Sequence, residues 1–124
     1  MKFLLDTNFL MIPGKFKVDV FSELEKFGKP ELYTVSAVVR ELEKLSKSGG
    51  DKPHAKLGLE LLRKKGVEVL QTDGYDADME LERTAVEEDF VVCTQDKELI
   101  KRLKKEEIRV ISLRQKKYLE FWSG

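Results

Sequence analysis

A chain of 124 residues, 41% hydrophobic and 37% charged, has enough apolar material to bury the core of one domain spanning residues 1–124, and this mix excludes a disordered chain. No apolar run is long enough to cross a membrane. The net charge is zero, so no whole-molecule field draws in nucleic acid, and any such binding must come from local basic patches.

Residues 2–6 read as a strand: Phe3, Leu4 and Leu5 form a short apolar run of the kind buried in a parallel sheet. The run stops at Asp6, Thr7 and Asn8, three polar side chains with no packing purpose, and in open α/β sheets that position faces the ligand crevice. Residues 9–17, with Pro13 and Gly14, read as a loop. Val20, Phe21, Leu24 and Phe27 recur at helical spacing over residues 18–27, and Gly28 and Pro30 end that helix. Residues 32–35 form a short strand. Ser36 is the expected N-cap of a helix running to Ser48, with Val35, Val38, Val39, Leu42 and Leu45 on its inner face.

Gly49, Gly50 and Asp51 break the chain. Pro53 opens the next helix and Gly66 ends it. A strand over residues 67–70, a turn over 72–75 and a helix over 77–88 capped by Asp76 follow. Phe90 to Cys93 form another buried strand, residues 97–105 a helix, and residues 108–113 a last strand. The tail carries Tyr118, Leu119, Phe121 and Trp122, which pack on the body or on a partner. Strand–helix alternation of this kind predicts an α/β fold with three layers, α/β/α, around a central parallel sheet.

The inventory removes several chemistries. His54 is the sole histidine and Cys93 the sole cysteine, too few ligands for a zinc site of the Cys/His type. A catalytic triad would need His54, which sits between Lys52 and Lys56 at an exposed helix start. A lone cysteine makes no internal disulfide, and the first residues run straight into a strand, so a reducing, cytoplasmic setting is expected. Asn8 is the only asparagine while Lys and Glu abound, a composition resembling that of heat-adapted proteins. Carboxylate and hard-metal chemistry remains.

Three acids stand out by position. Asp6 ends one buried strand, and Asp96 follows another, in line with the inward stripe Leu99, Ile100 and Leu103. Asp78 projects into the apolar face defined by Met79, Leu81, Ala85 and Val86, whereas Asp76 and Glu80 point outward. The structural alternatives are a helix cap for Asp96 and a cap or ion-paired acid for Asp78. Glu41 and Glu43 flank the inner stripe of their helix on opposite sides, and periodicity does not choose between them; a solvated surface glutamate is the default for both. Glu82 shares the face of Asp78 one turn on, as a fifth acid or an ion-pair partner. If the strands before Asp6 and Asp96 are neighbours, Asp6, Asp78 and Asp96 reach one crevice. Packed carboxylates repel and persist with bound cations or protons.

The order Asp6-Thr7-Asn8, then Glu41 within Val38-Val39-Arg40-Glu41-Leu42-Glu43-Lys44-Leu45, then Asp78, then Thr94-Gln95-Asp96, resembles the PIN-domain nucleases over nearly the whole chain. The resemblance implies that Asp6, Glu41, Asp78 and Asp96 hold Mg²⁺ or Mn²⁺ and cut RNA, and it is what selects Glu41 over Glu43. It implies supporting roles for Asn8 and Thr94, and a homodimer. Toxin-type members carry an alanine-rich helix after the third acid, where this chain has Met79-Glu80-Leu81-Glu82-Arg83-Thr84. That departure is closer to the branch that matures ribosomal RNA, and an antitoxin partner is the less favoured expectation. The rivals are a non-cleaving RNA-binding or assembly module of the same fold, and a response-regulator receiver. The receiver needs adjacent acids near the start and a mid-chain phosphoacceptor, and this chain has neither. Lys44, Lys47, Lys52 and Lys56 around Gly49–Gly50 are candidate phosphate contacts, with a solvated surface as the alternative. The run Lys101–Lys105 reads as an exposed helix face.

Overall fold

The computed structural model describes residues 1–123. Six strands, β1 (Lys2–Leu5), β2 (Glu31–Val35), β3 (Glu68–Leu70), β4 (Val91–Cys93), β5 (Val110–Arg114) and β6 (Tyr118–Phe121), form one sheet in the order β3-β2-β1-β4-β5-β6. All pairings are parallel except β5 with β6. The chain steps from β1 out to β3, then returns across β1 to β4 and β5. Right-handed crossovers therefore place the helices of the two halves on opposite faces, giving three layers. The order reverses between β1 and β4, the place where open sheets hold their ligands.

Phe3, Leu4 and Leu5 of β1 are fully buried, as are Val92 and Cys93 of β4, because helices cover both faces of the sheet centre. Leu5 pairs with Cys93, so the ends of β1 and β4 are level. The tail question resolves onto the body: β6 buries Leu119, exposes Glu120, and continues to Trp122, whose N–H donates to the Val110 carbonyl at 2.8 Å. Among the described residues, no helix is long and apolar enough to cross a membrane.

The helices are α1 (Thr7–Leu10), α2 (Ile12–Phe16), α3 (Val20–Leu24), α4 (Ser36–Leu45), α5 (Lys52–Lys64), α6 (Ala77–Glu87) and α7 (Lys97–Lys105), with a 3-10 turn at Glu25–Phe27. Three expectations need correction. Residues 9–17 are not a loop: α1 and α2 occupy them, with Pro13 in the first turn of α2, where its missing N–H costs nothing. Gly14 is needed there for closeness, since a Cβ would sit 2.6 Å from Nδ1 of His54 on α5. Ser36 does not cap α4. Val35 holds the cap position, and the Ser36 hydroxyl instead accepts from the Thr72 N–H at 2.9 Å.

The third correction is the phase of α6. Its buried residues are Ala77, Glu80, Leu81, Thr84 and Ala85, which follow the i, i+3, i+4, i+7, i+8 pattern of one helix face. Met79 and Val86 are 58% and 55% exposed, and Glu80, expected outward, is 2% exposed. Glu80 tolerates burial because Arg83 lies 3.3 Å away and Gly74, lacking a side chain, leaves room for its carboxylate.

Candidate active site: an acidic cleft at the sheet's switch point

A cleft of about 250 Å³ opens at the ends of β1 and β4 and is lined by Asp6, Thr7, Asn8, Met11, Glu41, Leu45, Asp78 and Asp96. The three acids singled out by position thus share a wall with Glu41. Glu43 lies outside it, exposed. Lys44, Lys47, Lys52 and Lys56 are all exposed and none lines this cleft.

Each acid is positioned by its own local device. Asp6 is 2% exposed and caps α1, its Oδ1 accepting from the Thr7 N–H at 2.7 Å. Its other oxygen accepts from the Thr94 hydroxyl at 2.6 Å, across 88 residues of sequence. The same hydroxyl accepts from the Asp96 N–H at 3.1 Å, so Thr94 links the first acid to the backbone of the fourth. Asn8 Oδ1 accepts from the Gln95 N–H at 2.9 Å and holds the loop after β4 against the start of α1. Gln95, which sequence reasoning passed over, clamps that loop to the neighbouring strand: its Oε1 accepts from the Leu113 N–H and its Nε2 donates to the Leu113 carbonyl. Thr7 was also passed over as a site residue; its buried hydroxyl lines the cleft and has no hydrogen-bond partner among the described residues. The signal was available in both cases, since each residue lies inside a motif already singled out.

Asp96 is both a helix cap and a cleft residue. It caps α7, accepting from the N–H groups of Glu98 at 3.0 Å and Leu99 at 3.3 Å, and it lines the cleft. Asp78 lies in the first turn of α6, half-buried, and does not cap, because Asp76 caps that helix through the Met79 N–H. Helix α4 carries Glu41 and also holds the loop before Asp78: Ser36 binds Thr72, and Arg40 donates to the Gly74 carbonyl at 2.8 Å while stacking over Tyr75. The Glu82 alternative resolves as an ion pair, with Oε1 2.9 Å from Arg102 Nε.

The electrostatics are those of crowded acids without a direct ion pair, the charge of Arg102 reaching Asp78 and Asp96 while its guanidinium is bound to Glu82. Burial raises the Asp6 carboxyl to about 6, against the hydrogen bonds from Thr94 and Thr7, and the charges of Glu41 and Asp96 raise it further. Asp78 is raised to about 7 by burial first, then by Asp6 and by a hydrogen bond and repulsion from Asp96. Among the described residues, none of the four acids is in a salt bridge. No three His, Cys, Asp or Glu side chains there stand close enough to form a ready ion cage. The donor set nevertheless fits a hard divalent cation: four carboxylates, an unpartnered buried hydroxyl and no imidazole or thiolate.

The family profile described as PIN like domain matches residues 3–116. Ribonuclease VapC4 of Methanocaldococcus jannaschii is 36% identical over 126 aligned positions, covering 98% of this chain and 96% of that one. Ribonuclease VapC9 of Archaeoglobus fulgidus is 36% identical over 115 positions, covering 91% and 83%. Among solved structures, the PIN domain endonuclease Utp24 superposes with a TM-score of 0.82 at 25% identity, over 97% of this chain and 90% of that one. A domain of a functionally unknown Methanocaldococcus jannaschii protein shares the fold, with a TM-score of 0.65 over 91% of each chain. With its sheet order, its acidic cleft and these matches in agreement, the chain belongs to the PIN-like domain family.

Proposed function

We propose that this protein is a divalent-metal-dependent endoribonuclease that hydrolyses RNA phosphodiester bonds in RNA processing, as a cytoplasmic homodimer. The observation that carries the reading is the gathering of Asp6, Glu41, Asp78 and Asp96 around one cleft, with no lysine or arginine among the described residues in a salt bridge to any of them. The ribonuclease names of both 36%-identical relatives support it. Asp6, Glu41, Asp78 and Asp96 would hold Mg²⁺ or Mn²⁺. When bound, such an ion neutralises the crowded carboxylates, stabilises charge on the phosphodiester and lowers the pKa of water.

The protein's own residues do the positioning. Thr94 fixes the orientation of Asp6, and its link to the Asp96 backbone keeps the two acids in step. Asn8 and Gln95 brace the loop that bears Asp96. Arg40 and Ser36 set Asp78 relative to Glu41. His54 packs against Gly14 and does not line the cleft, so proton transfer in the site falls to carboxylates and water.

The test is cleavage of a single-stranded RNA with Mn²⁺ by wild type, Asp6→Asn and Asp96→Asn. The reading expects cleavage by the wild type alone; equal cleavage by all three would place the activity elsewhere, and calorimetry without Mg²⁺ or Mn²⁺ binding would favour a non-cleaving module. A toxin role, with an antitoxin partner, is the second reading, and the VapC names of the two relatives favour it. Growth arrest on expression of wild type but not of Asp6→Asn would support the toxin role. Altered ribosomal RNA ends without arrest would support processing.

A further inference from the structure

Two shallow clefts lie along α7 and share Lys97, Ile100 and Trp122; neither is lined by Asp6, Glu41, Asp78 or Asp96. The upper one, about 300 Å³, adds Gln95, Ser112 and Arg114. The lower one, about 310 Å³, adds Lys101, Lys104 and Lys105. Trp122 belongs to both, so they read as one groove that begins at Gln95, the residue before Asp96.

Positions 97, 101, 104 and 105 fall within about 100° of the helix circumference, so the four ammonium groups form one row. Leu99 and Leu103 face the core instead. Among the described residues, Lys97, Lys104 and Lys105 have no acidic partner, and Lys101 approaches Glu98 only at 3.9 Å with both side chains exposed. No lining residue of either cleft is acidic. Ser112 adds a buried hydroxyl without a hydrogen-bond partner among the described residues. Trp122 is half-buried and rooted by its bond to Val110.

A row of cations beside an aromatic face suits an unpaired nucleic acid strand, with phosphates meeting the lysines and a base stacking on the indole. In a chain of zero net charge, such a row is the local patch that nucleic acid binding requires. A second copy of this chain fits poorly, because a two-fold interface would set the lysine row against itself.

We propose that the α7–Trp122 groove binds the single-stranded RNA flanking the bond cleaved in the acidic cleft. This inference rests on the ribonuclease reading and adds where the substrate strand lies and why it is single-stranded.

Trp122 is the only tryptophan, so its fluorescence reports on the groove directly. The 124-residue chain, kept from cleaving by EDTA, is titrated with a single-stranded RNA 12-mer. Binding should quench Trp122, and Trp122→Ala should weaken it on the order of 10-fold. Lys97→Ala with Lys104→Ala should lower the slope of log affinity against log salt by about 1.4. Both variants should hydrolyse the small substrate bis(p-nitrophenyl) phosphate with Mn²⁺ as wild type does. Oligonucleotide binding with no quenching, and with affinity and salt slope unchanged in the variants, would overturn the groove and leave the ribonuclease reading intact. A wild type that neither binds the 12-mer nor hydrolyses any phosphodiester would sink the ribonuclease reading, and the groove with it. A dimer that Trp122→Ala splits without loss of RNA affinity would make the groove a subunit interface and overturn the inference. Should Trp122→Ala misfold by circular dichroism, the double lysine variant decides, and an unchanged salt slope overturns the proposal.

Discussion

Helix α6 carries three acids within five residues, and the fold treats one unlike the other two. Glu80 is buried yet lies 3.3 Å from Arg83, and Glu82 lies 2.9 Å from Arg102. Asp78 is less buried than Glu80 but faces Asp6 and Asp96, and its carboxyl is raised to about 7. Burial alone therefore does not separate the carboxylates of this helix. The difference is that Asp78, among the described residues, has no salt-bridge partner and faces like charges in an open cleft.

If that contrast governs function, substitutions on its two sides must differ sharply. The largest effect is expected at the uncompensated acids: Asp6→Asn or Asp96→Asn should lower Mn²⁺-dependent RNA cleavage ~10²–10³-fold, measured as kcat/KM. Next comes the pH dependence of stability without metal. Asp6 keeps its proton to about pH 6 in the folded protein but releases it near 3.8 when unfolded, so between those values the folded state holds more protons. Stability must therefore fall as pH rises from about 4 to 6, by at most ~3 kcal/mol for this group. Chemical denaturation in EDTA should show that fall; Asp6→Asn should make it shallower, leaving the part that Asp78 carries up to about pH 7, and be the more stable protein at pH 8.

Thr94→Val removes the donor to Asp6 and the acceptor for the Asp96 N–H while keeping the shape of the side chain. A loss of ~1–3 kcal/mol in stability is expected, with metal affinity by calorimetry down ~10–100-fold. The smallest effect should come from the compensated side. Glu82→Gln breaks an ion pair that is partly exposed, so stability should change by less than ~1 kcal/mol and cleavage by no more than a few-fold. Cleavage that collapsed in Glu82→Gln as it does in Asp6→Asn would erase the distinction.

The strand ends were the most legible part of the chain. A buried apolar run interrupted by Asp6, Thr7 and Asn8 reads as a crevice because nothing in core packing asks for those residues, and the pairing of β1 with β4 brings Asp96 beside it. The helices within residues 9–17 were not legible: α1 and α2 span 4 and 5 residues, too short for helical periodicity to register, and Pro13 and Gly14 mimic a loop. Helix α6 was misphased because Met79 and Val86, seven positions apart, supply an apolar stripe that the fold leaves exposed, while a glutamate goes inside. The partner that permits this, Arg83, reads from sequence as one more surface charge. Glu41 against Glu43 was undecidable from periodicity, since both flank the same stripe; the packing of α4 against α1 and α6 puts Glu41 in the cleft.

The tethers on α4 have a consequence for how the chain tolerates change. Ser36 and Arg40 grip Thr72 and Gly74, so the spacing of Glu41 from Asp78 is set by a few bonds at one helix and not by the 36 residues of polypeptide between them. The turn at Gly49–Gly50, exposed and outside those tethers, is free to lengthen without moving either acid. A single residue inserted between Thr72 and Asp76 has no such freedom, because it would slide the start of α6 relative to the two anchors that aim it.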